Sequence, residues 1–210
     1  MILGIMQPYL FPYIGYFQLI TAVDKFVVYD DVSFIKQGWI NRNRILLNCT
    51  DHIFTVPLSN ASSFQNINNT EINYKLFPAW KAKFMKTLAG AYGKAPYYKE
   101  AAALIDDMLS QNQPTISQMA VTTITGTCDY LGLKKDFVTT SAGYNNNDLK
   151  AYERVIDICK KENAQAYINP IGGQELYSRE IFEKEGLRLN FIKSKGITYQ
   201  QFNCTFVPWL

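Results

Sequence analysis

The last third of the chain restricts its fold most, because apolar segments with helical and strand periodicity alternate there with short connections. Residues 149–163 and 174–186 are predicted as helices, and residues 166–169 and 187–193 as strands. Strands that alternate with helices in this way usually lie parallel in one sheet, with the helices on its faces. The pattern therefore predicts an α/β fold with a mainly parallel sheet.

The beginning of the chain repeats this alternation. Residues 1–8 and 25–31 are mostly apolar runs that are predicted as strands. Residues 12–21 carry apolar and aromatic side chains at helical spacing and predict a short helix between the two strands. Because the second strand ends at Asp30 and Asp31, we expect two neighbouring carboxylates at the carboxyl edge of the sheet.

A hairpin and a helical block separate these two regions. Residues 41–58 contain two short apolar runs around a turn-rich stretch, a pattern that predicts a β-hairpin. Three segments with helical periodicity follow, at residues 77–92, 98–111 and 115–131. Because 210 residues fit one domain, we expect a single α/β domain over residues 1–210, with residues 77–131 as a helical insertion.

Charge and hydropathy limit the kinds of partner and the location that this chain is expected to have. The 21 Lys+Arg and 18 Asp+Glu residues leave a formal charge of +3, without a polybasic run that would follow a phosphate backbone, so we expect no nucleic-acid partner. The apolar opening is too short for a signal-peptide core and ends at Gln7 and Pro8. No segment reaches the roughly 18 to 20 apolar residues of a membrane span. These features predict a cytoplasmic protein without a membrane span.

Cysteine and histidine usage limits the chemistry. The four cysteines, Cys49, Cys128, Cys159 and Cys204, are scattered without a Cys-x-x-Cys pair, and the single histidine is His52. We therefore expect neither a zinc site nor a disulfide framework. Any Ser-His or Cys-His hydrolase would have to use His52, which falls in the predicted hairpin turn.

The carboxylates after the second strand are candidate catalytic residues. Open α/β sheets bind ligands at the carboxyl ends of their strands, and neighbouring carboxylates can divide acid and base roles or share a divalent metal. Side chains that follow each other on a strand point to opposite faces, so a turn or a helix cap is the alternative role. Gln7 ends the first predicted strand near the same edge. The predicted catalytic residues are Asp30, Asp31 and Gln7, and no metal ligand is assigned.

Arg42 and Arg44 are candidate anion-binding residues. They are two positions apart, so on a strand both guanidinium groups lie on one face, with Lys36 arriving from the preceding loop. Their bidentate geometry suits the diphosphate of a sugar nucleotide or the phosphate of a carrier arm. Ordinary surface charge is the alternative. Tyr9, after the first strand, could stack on a ring or bond a sugar hydroxyl.

The glycine-containing segment that links the predicted strand of residues 166–169 to the following predicted helix is a third candidate for ligand binding. Its two glycines allow backbone amides to approach an anion, although a tight turn explains the segment equally well. The segment lacks the Walker lysine and the dinucleotide fingerprint, so neither ATP hydrolysis nor NAD binding is indicated. The predicted substrate-binding residues are Tyr9, Lys36, Asn41, Arg42, Arg44, Asn169, Gly172, Gly173 and Gln174.

Several of these motifs together resemble the WbqC-like family. They are QPYLFPYIGYF at residues 7–17, DKFVVYDDVSF at 24–34, WINRNRI at 39–45, ERVIDIC at 153–159 and YINPIGGQELY at 167–177. Many relatives open with His-Gln-Pro, whereas this chain has Met6 before Gln7. If that histidine is an acid or base in those relatives, this chain cannot use it.

The resemblance implies a function that the residues alone do not. It implies a cytoplasmic α/β enzyme of bacterial surface-polysaccharide (O-antigen or capsule) biosynthesis, with acyl or aminoacyl transfer to a nucleotide-linked or carrier-linked amino sugar. A non-catalytic binding or scaffold protein, or a nucleotidyltransferase with a metal at Asp30 and Asp31, is the alternative. Relatives continue past a segment like residues 206–210 into a further helix, so we expect Phe206 and Trp209 to be exposed.

Overall fold

Strands and helices alternate at both ends of the chain, and a hairpin and three successive helices lie between them. The computed structural model describes residues 1–210. In chain order the elements are β1 (Ile2–Met6), α1 (Ile14–Ala22), β2 (Lys25–Val28), β3 (Arg42–Leu47), β4 (Thr50–Thr55), α2 (Phe77–Tyr92), α3 (Tyr98–Ser110), α4 (Ile116–Tyr130), β5 (Asp136–Val138), α5 (Tyr152–Lys161), β6 (Ala166–Pro170), α6 (Arg179–Lys184) and β7 (Arg188–Ile192). Short 3₁₀ helices cover Ile67–Asn69, Ser141–Tyr144 and Ile171–Leu176.

These elements divide between two compact units. The sheet unit consists of Met1–Pro8, Ile14–Asp31 and Gly132–Gly196, and the hairpin unit consists of Tyr9–Tyr13, Val32–Leu131 and Ile197–Leu210. The predicted helical insertion corresponds to α2, α3 and α4, which belong to the hairpin unit. The expectation of one domain over residues 1–210 stays a prediction.

The sheet unit contains a five-stranded, entirely parallel sheet in the order β5-β2-β1-β6-β7. This confirms the predicted α/β fold. From the central strand β1, the chain builds outwards through β2 and β5 and then restarts on the other side with β6 and β7. The strand order therefore reverses between β1 and β6, and such a switch point is where open α/β sheets form a ligand crevice.

Apolar side chains of the sheet and of two helices form the core of the sheet unit. Leu3 and Val27 from the strands pack with Tyr167, Phe182 and Cys159, all fully buried. Full burial of one such large apolar side chain contributes about 1.5 to 3 kcal/mol. Burial raises the pKa of the Cys159 thiol to about 12, so this cysteine stays protonated and acts as a core residue.

The hairpin unit has its own core between the hairpin and α2, α3 and α4. Strands β3 and β4 pair antiparallel and form the predicted β-hairpin, and the turn residues Asn48 and Cys49 both have the positive φ that a tight hairpin turn requires. Phe54 of β4 packs against Phe84 of α2 with ring centroids 4.4 Å apart. None of the helices is long and apolar enough to span a membrane.

The helix predicted over residues 174–186 is partly wrong. The structure has a 3₁₀ helix over Ile171–Leu176, and α6 covers only Arg179–Lys184. Two consecutive glycines disfavour an α-helix by about 1 kcal/mol each. A Cβ at Gly173 would collide with the side-chain amide oxygen of Asn169, so a larger residue there would force the Asn169 side chain to move.

The expectation of no disulfide is also wrong, because Cys49 and Cys204 are bonded to each other. Cys49 lies in the exposed turn of the hairpin, and the last segment of the chain returns to it across a sequence separation of 155 residues. Cysteine spacing carries no signal for a bond between residues so far apart. The bond fixes the segment Ile197–Leu210 to the tip of the hairpin.

Candidate functional site

A cavity lined by aromatic side chains lies in the hairpin unit. Its volume is about 330 Å³, within the range of about 300 to 1,000 Å³ that small-molecule sites occupy. We call it the first cavity, and its lining includes Tyr9, Tyr13, Trp39, Asn43, Arg44 and Trp209. Two predicted binding residues, Tyr9 and Arg44, therefore meet in one site.

Asn43 of β3 holds the segment that supplies the tyrosines of the first cavity. Its side-chain amide donates hydrogen bonds to the backbone carbonyls of Leu10, at 3.1 Å, and Phe11. Its amide oxygen accepts a bond of 2.8 Å from the Arg44 backbone N–H. One residue thus fixes both the turn after β1 and the backbone of the neighbouring arginine. Asn43 was not among the predicted site residues, although it lies between two predicted anion-binding arginines in the sequence.

Arg44 is the positively charged group of the first cavity. One guanidinium nitrogen lies 3.1 Å from an Asp51 carboxylate oxygen, and another donates to the Trp209 carbonyl at 3.2 Å. Its Nε–H is buried without an acceptor. A buried donor that lacks a partner costs about 1 to 3 kcal/mol, so the protein partners of Arg44 do not satisfy its side chain completely.

The Trp39 side chain lies close to both predicted arginines. The guanidinium carbons of Arg42 and Arg44 are each 5.4 Å from a Trp39 ring centroid, within cation–π range. Arg42 also donates to the carbonyls of Gly38, at 3.0 Å, and Gln37, which folds the loop carrying this tryptophan. Arg42 thus shapes the site without lining the first cavity.

Lys36 and Asn41 do not line the first cavity either. Lys36 is exposed on the loop before β3. The side-chain amide of Asn41 donates 3.0 Å to the Val56 carbonyl and so joins the outer ends of the hairpin strands. The structure therefore gives Asn41 a role in holding the hairpin together.

Trp209 and Tyr9 complete the first cavity. Trp209 is 59% exposed, as the resemblance implied, and its ring packs edge-to-face on Tyr13 at 5.6 Å, whereas Phe206 is half-buried. Burial, and then the neighbouring Tyr13, raises the pKa of the Tyr9 hydroxyl. Tyr9 is therefore protonated at neutral pH and suited to donate a hydrogen bond, not to act as a base.

A second cavity of about 530 Å³ also lies in the hairpin unit. Its lining includes Arg44, Tyr92, Lys94, Tyr199, Gln201 and Phe202. The Tyr92 hydroxyl accepts a 2.7 Å bond from the Leu46 backbone N–H, which fixes α2 to the hairpin. Gln201 exchanges two hydrogen bonds with the backbone of Val207 and closes the loop that carries Cys204.

The predicted carboxylates lie in the sheet unit, after β2, and both are buried. An Asp30 oxygen accepts from the Thr140 hydroxyl at 2.8 Å and from the Ser141 backbone N–H at 3.0 Å. Asp31 accepts from the Ser141 hydroxyl and forms an ion pair of 2.7 Å with Arg154. These contacts satisfy both carboxylates from inside the protein.

Arg154 of α5 extends this network. Its Nε donates 3.0 Å to the Asn146 amide oxygen, and the Asn146 amide donates 2.7 Å to Asp157. Its guanidinium carbon lies 4.8 Å from the Tyr29 ring centroid. Arg154 was not among the predicted site residues, and its partner Asp31 is 123 residues away in sequence.

The other predicted residues of the sheet unit lie at its switch point. Gln7 follows β1, and its carbonyl accepts a 2.9 Å bond from the Tyr16 hydroxyl. Asn169, near the end of β6, is buried and donates to the Tyr167 hydroxyl. Gly172 and Gln174 are exposed in the following 3₁₀ helix. Because β1 and β6 are neighbours, Gln7 and Asn169 come from adjacent strand ends.

His52 lies on β4 and not in the turn where the sequence placed it. It is exposed and lines a cavity that contains neither a serine nor a cysteine, so the pairs of a Ser-His or Cys-His hydrolase are not formed there. The structure contains no group of three or more His, Cys, Asp or Glu side chains that could hold a metal ion. The geometry thus provides neither a histidine-based hydrolase site nor a cluster of metal ligands.

Comparison with known proteins places the chain in a family. The family model described as WbqC-like protein family matches residues 7–210. The uncharacterised protein Rv1507c of Mycobacterium tuberculosis is 28% identical over 208 residues, which are 98% of this chain and 88% of that protein. No solved structure matches the chain. Because the family match covers nearly all of the sequence, this chain belongs to the WbqC-like protein family, as its motifs predicted.

Proposed function

We propose that this protein is a cytoplasmic transferase of bacterial surface-polysaccharide biosynthesis that acts on a nucleotide-linked or carrier-linked amino sugar. The observation that carries the proposal is the combination of aromatic rings and one arginine in the first cavity. The choice of pathway and of acyl or aminoacyl transfer rests on the resemblance of the motifs.

The first cavity has the groups that such a ligand needs. The rings of Trp39 and Trp209 offer apolar faces for a sugar ring, and Tyr9 adds a further aromatic ring to the lining. Arg44 supplies a charge-assisted hydrogen bond to a phosphate oxygen. A phosphate carries a full negative charge and can accept two parallel N–H bonds from a guanidinium, so it competes well with the neutral carbonyl that Arg44 now contacts.

The proposed reaction joins an acyl group to the amine of the sugar. The amine nitrogen attacks the acyl carbonyl, a C–N bond forms, the bond to the carrier breaks, and the proton lost by the amine passes to the leaving group. A base assists the proton loss. Asp30, Asp31 and Gln7, all in the sheet unit, stay the predicted catalytic residues, and Asp31 is held there by Ser141 and Arg154.

Tryptophan fluorescence tests the proposed binding. Two of the three tryptophans, Trp39 and Trp209, line the first cavity, and replacing the third by Trp80→Phe confines the signal to that site. Titration with a panel of sugar nucleotides and acyl carriers should give a saturable change for at least one compound. Arg44→Ala should weaken its binding by about 1.5 to 3 kcal/mol, the scale of a hydrogen bond to a charged group.

The matched control is Arg188→Ala, which removes an exposed arginine from β7 in the sheet unit. It should leave the affinity unchanged. The proposal would be contradicted if no compound of the panel changed the tryptophan fluorescence, or if the Arg44→Ala and wild-type proteins bound the ligand with equal affinity.

One observation favours a non-catalytic scaffold as the second candidate. Phe64 is 99% exposed in a loop of the hairpin unit, and large exposed apolar groups can mark partner contacts. Single exposed aromatic residues are also ordinary, so the lined cavity is the stronger indication. Formation of an acylated sugar by purified protein separates the two candidates, because a scaffold would bind the sugar without changing it.

A further inference from the structure

Arg44 is the residue that the two cavities of the hairpin unit share. The first cavity, of about 330 Å³, and the second cavity, of about 530 Å³, have no other lining residue in common. A ligand that occupies both cavities would therefore lie next to Arg44.

The second cavity resembles the first in its chemistry. Tyr92 and Phe202 face each other with ring centroids 6.2 Å apart, and Tyr199 provides a further aromatic ring. Lys94 adds a second positive charge to the lining. The Gln201 amide is occupied by the Val207 backbone, so the rings and the lysine are the groups left for a ligand.

The groups therefore follow one another as the aromatic rings of the first cavity, the guanidinium group of Arg44 and the aromatic rings of the second cavity. A nucleoside diphosphate sugar has the complementary order, with a base and ribose at one end, a sugar at the other, and two negatively charged phosphates between them. Aromatic side chains bind nucleobases by stacking, and arginine binds phosphate through its planar array of donors. The larger cavity suits the nucleoside, which is the bulkier end.

We propose that the two cavities hold the two ends of one nucleoside diphosphate sugar, with the diphosphate at Arg44. The nucleoside occupies the second cavity and the sugar occupies the first. This inference rests on the proposed function and narrows its substrate from a nucleotide-linked or carrier-linked sugar to the nucleotide-linked class. Lys94 neutralises part of the charge on the diphosphate.

Calorimetric titration of two variants tests the assignment of the two ends. The probes are UDP-N-acetylglucosamine, dTDP-glucose, GDP-mannose and CDP-glucose, each with its free nucleoside diphosphate and its sugar 1-phosphate. Trp209→Ala should lower the affinity for the tightest sugar nucleotide and for its sugar 1-phosphate about tenfold. It should leave the affinity for the nucleoside diphosphate unchanged. Tyr199→Ala should lower the affinity for the sugar nucleotide and for the nucleoside diphosphate about tenfold. It should leave the affinity for the sugar 1-phosphate unchanged.

Both substituted side chains are exposed, so the fold should tolerate the changes, and equal melting temperatures verify this. Phe202→Ala provides a second variant of the second cavity with the same expected pattern. The inference is overturned if either variant weakens all three ligand types by the same factor, or if none of the sugar nucleotides binds. If sugar-bearing ligands depend on Arg44 and Trp209 but are indifferent to Tyr199 and Phe202, the proposed function stands and only the two-cavity inference fails.

Discussion

Asp31 in the sheet unit and Arg44 in the hairpin unit are both charged residues of motifs that resemble the family, but their surroundings differ. Asp31 and its partner Arg154 are 3% and 7% exposed and are joined at 2.7 Å. Arg44 and its partner Asp51 are 21% and 47% exposed, and Arg44 also contacts neutral carbonyls. A buried charge with a fixed ionic partner supports the fold, whereas a charge that lines a cavity with weaker partners is available to a ligand.

Breaking the buried pair should have the largest effect on stability. Asp31→Asn keeps the size of the side chain but leaves the Arg154 charge buried without its partner, which should cost about 3 to 5 kcal/mol. Urea unfolding followed by circular dichroism measures the loss. The control Asp51→Asn removes the partly exposed partner of Arg44 and should cost less than about 1 kcal/mol. Equal losses in the two variants would remove the contrast between the two regions.

Opening the disulfide should have the next largest effect. A dithiol reductant converts the Cys49–Cys204 bond into two thiols while the dithiol itself is oxidised. Because the bond closes a long loop, we expect the free energy of unfolding to fall by about 2 to 4 kcal/mol. The reductant should have no effect on the Cys49→Ser/Cys204→Ser double variant. An unchanged unfolding midpoint of the reduced wild type would show that the segment Ile197–Leu210 does not need the bond.

The same bond bears on the proposed location. Cytoplasmic thiols are usually kept reduced, so a cytoplasmic protein would contain Cys49 and Cys204 mainly as thiols. Alkylation of free thiols in freshly lysed cells measures their state. Modification of both cysteines agrees with the proposed cytoplasmic location, whereas their protection in the folded protein would favour an oxidising compartment.

A smaller, pH-dependent effect is expected at Glu162 in the sheet unit. Burial alone would raise the pKa of this carboxyl, but hydrogen bonds from Lys25, at 2.8 Å, and Tyr144, at 2.6 Å, lower it below the ordinary value. Because the folded-state pKa lies below the unfolded-state pKa, the stabilisation is present above the unfolded-state value and is lost as the pH falls through the folded-state value.

Glu162→Gln should therefore destabilise the protein by about 1 to 2 kcal/mol at pH 7 and by much less near pH 3. Unfolding by urea at both pH values measures the difference. The exposed pair of Lys160 and Glu185 offers a control, since Glu185→Gln should have little effect at either pH. An equal loss for Glu162→Gln at both pH values would contradict the expected linkage.

The elements that local periodicity specifies could be predicted from the sequence. The alternation after residue 149 predicted the parallel sheet, and the turn at Asn48 and Cys49 was recognisable between two apolar runs. Both depend on neighbours within a few residues of each other. The segment after Pro170 was predicted less well, because a 3₁₀ helix runs to Leu176 and the α-helix begins only at Arg179.

The partners of the charged residues could not be predicted, because they are distant in sequence. Arg154 is 123 residues from Asp31, and Trp209 is 165 residues from Arg44. Tyr9 and Arg44 were therefore predicted as binding residues from the sequence, but the tryptophans that line the same cavity were not. The burial of Asp30 and Asp31 could not be predicted either, because a strand end predicts position and not burial.

Melting temperatures with and without ligand test most directly whether Arg44 serves the ligand while Asp31 serves the fold. The ligand is the tightest compound of the fluorescence panel, at about 100 times its dissociation constant, where it should stabilise the wild type by about 2.7 kcal/mol. Arg44→Gln should melt within about 3 °C of the wild type without ligand and should lose most of the ligand-induced rise. Asp31→Asn should melt on the order of 10 °C lower without ligand and should keep the rise. An Arg44→Gln protein that melts far below the wild type yet retains the full rise would contradict the account, because Arg44 would then support the fold and not the ligand.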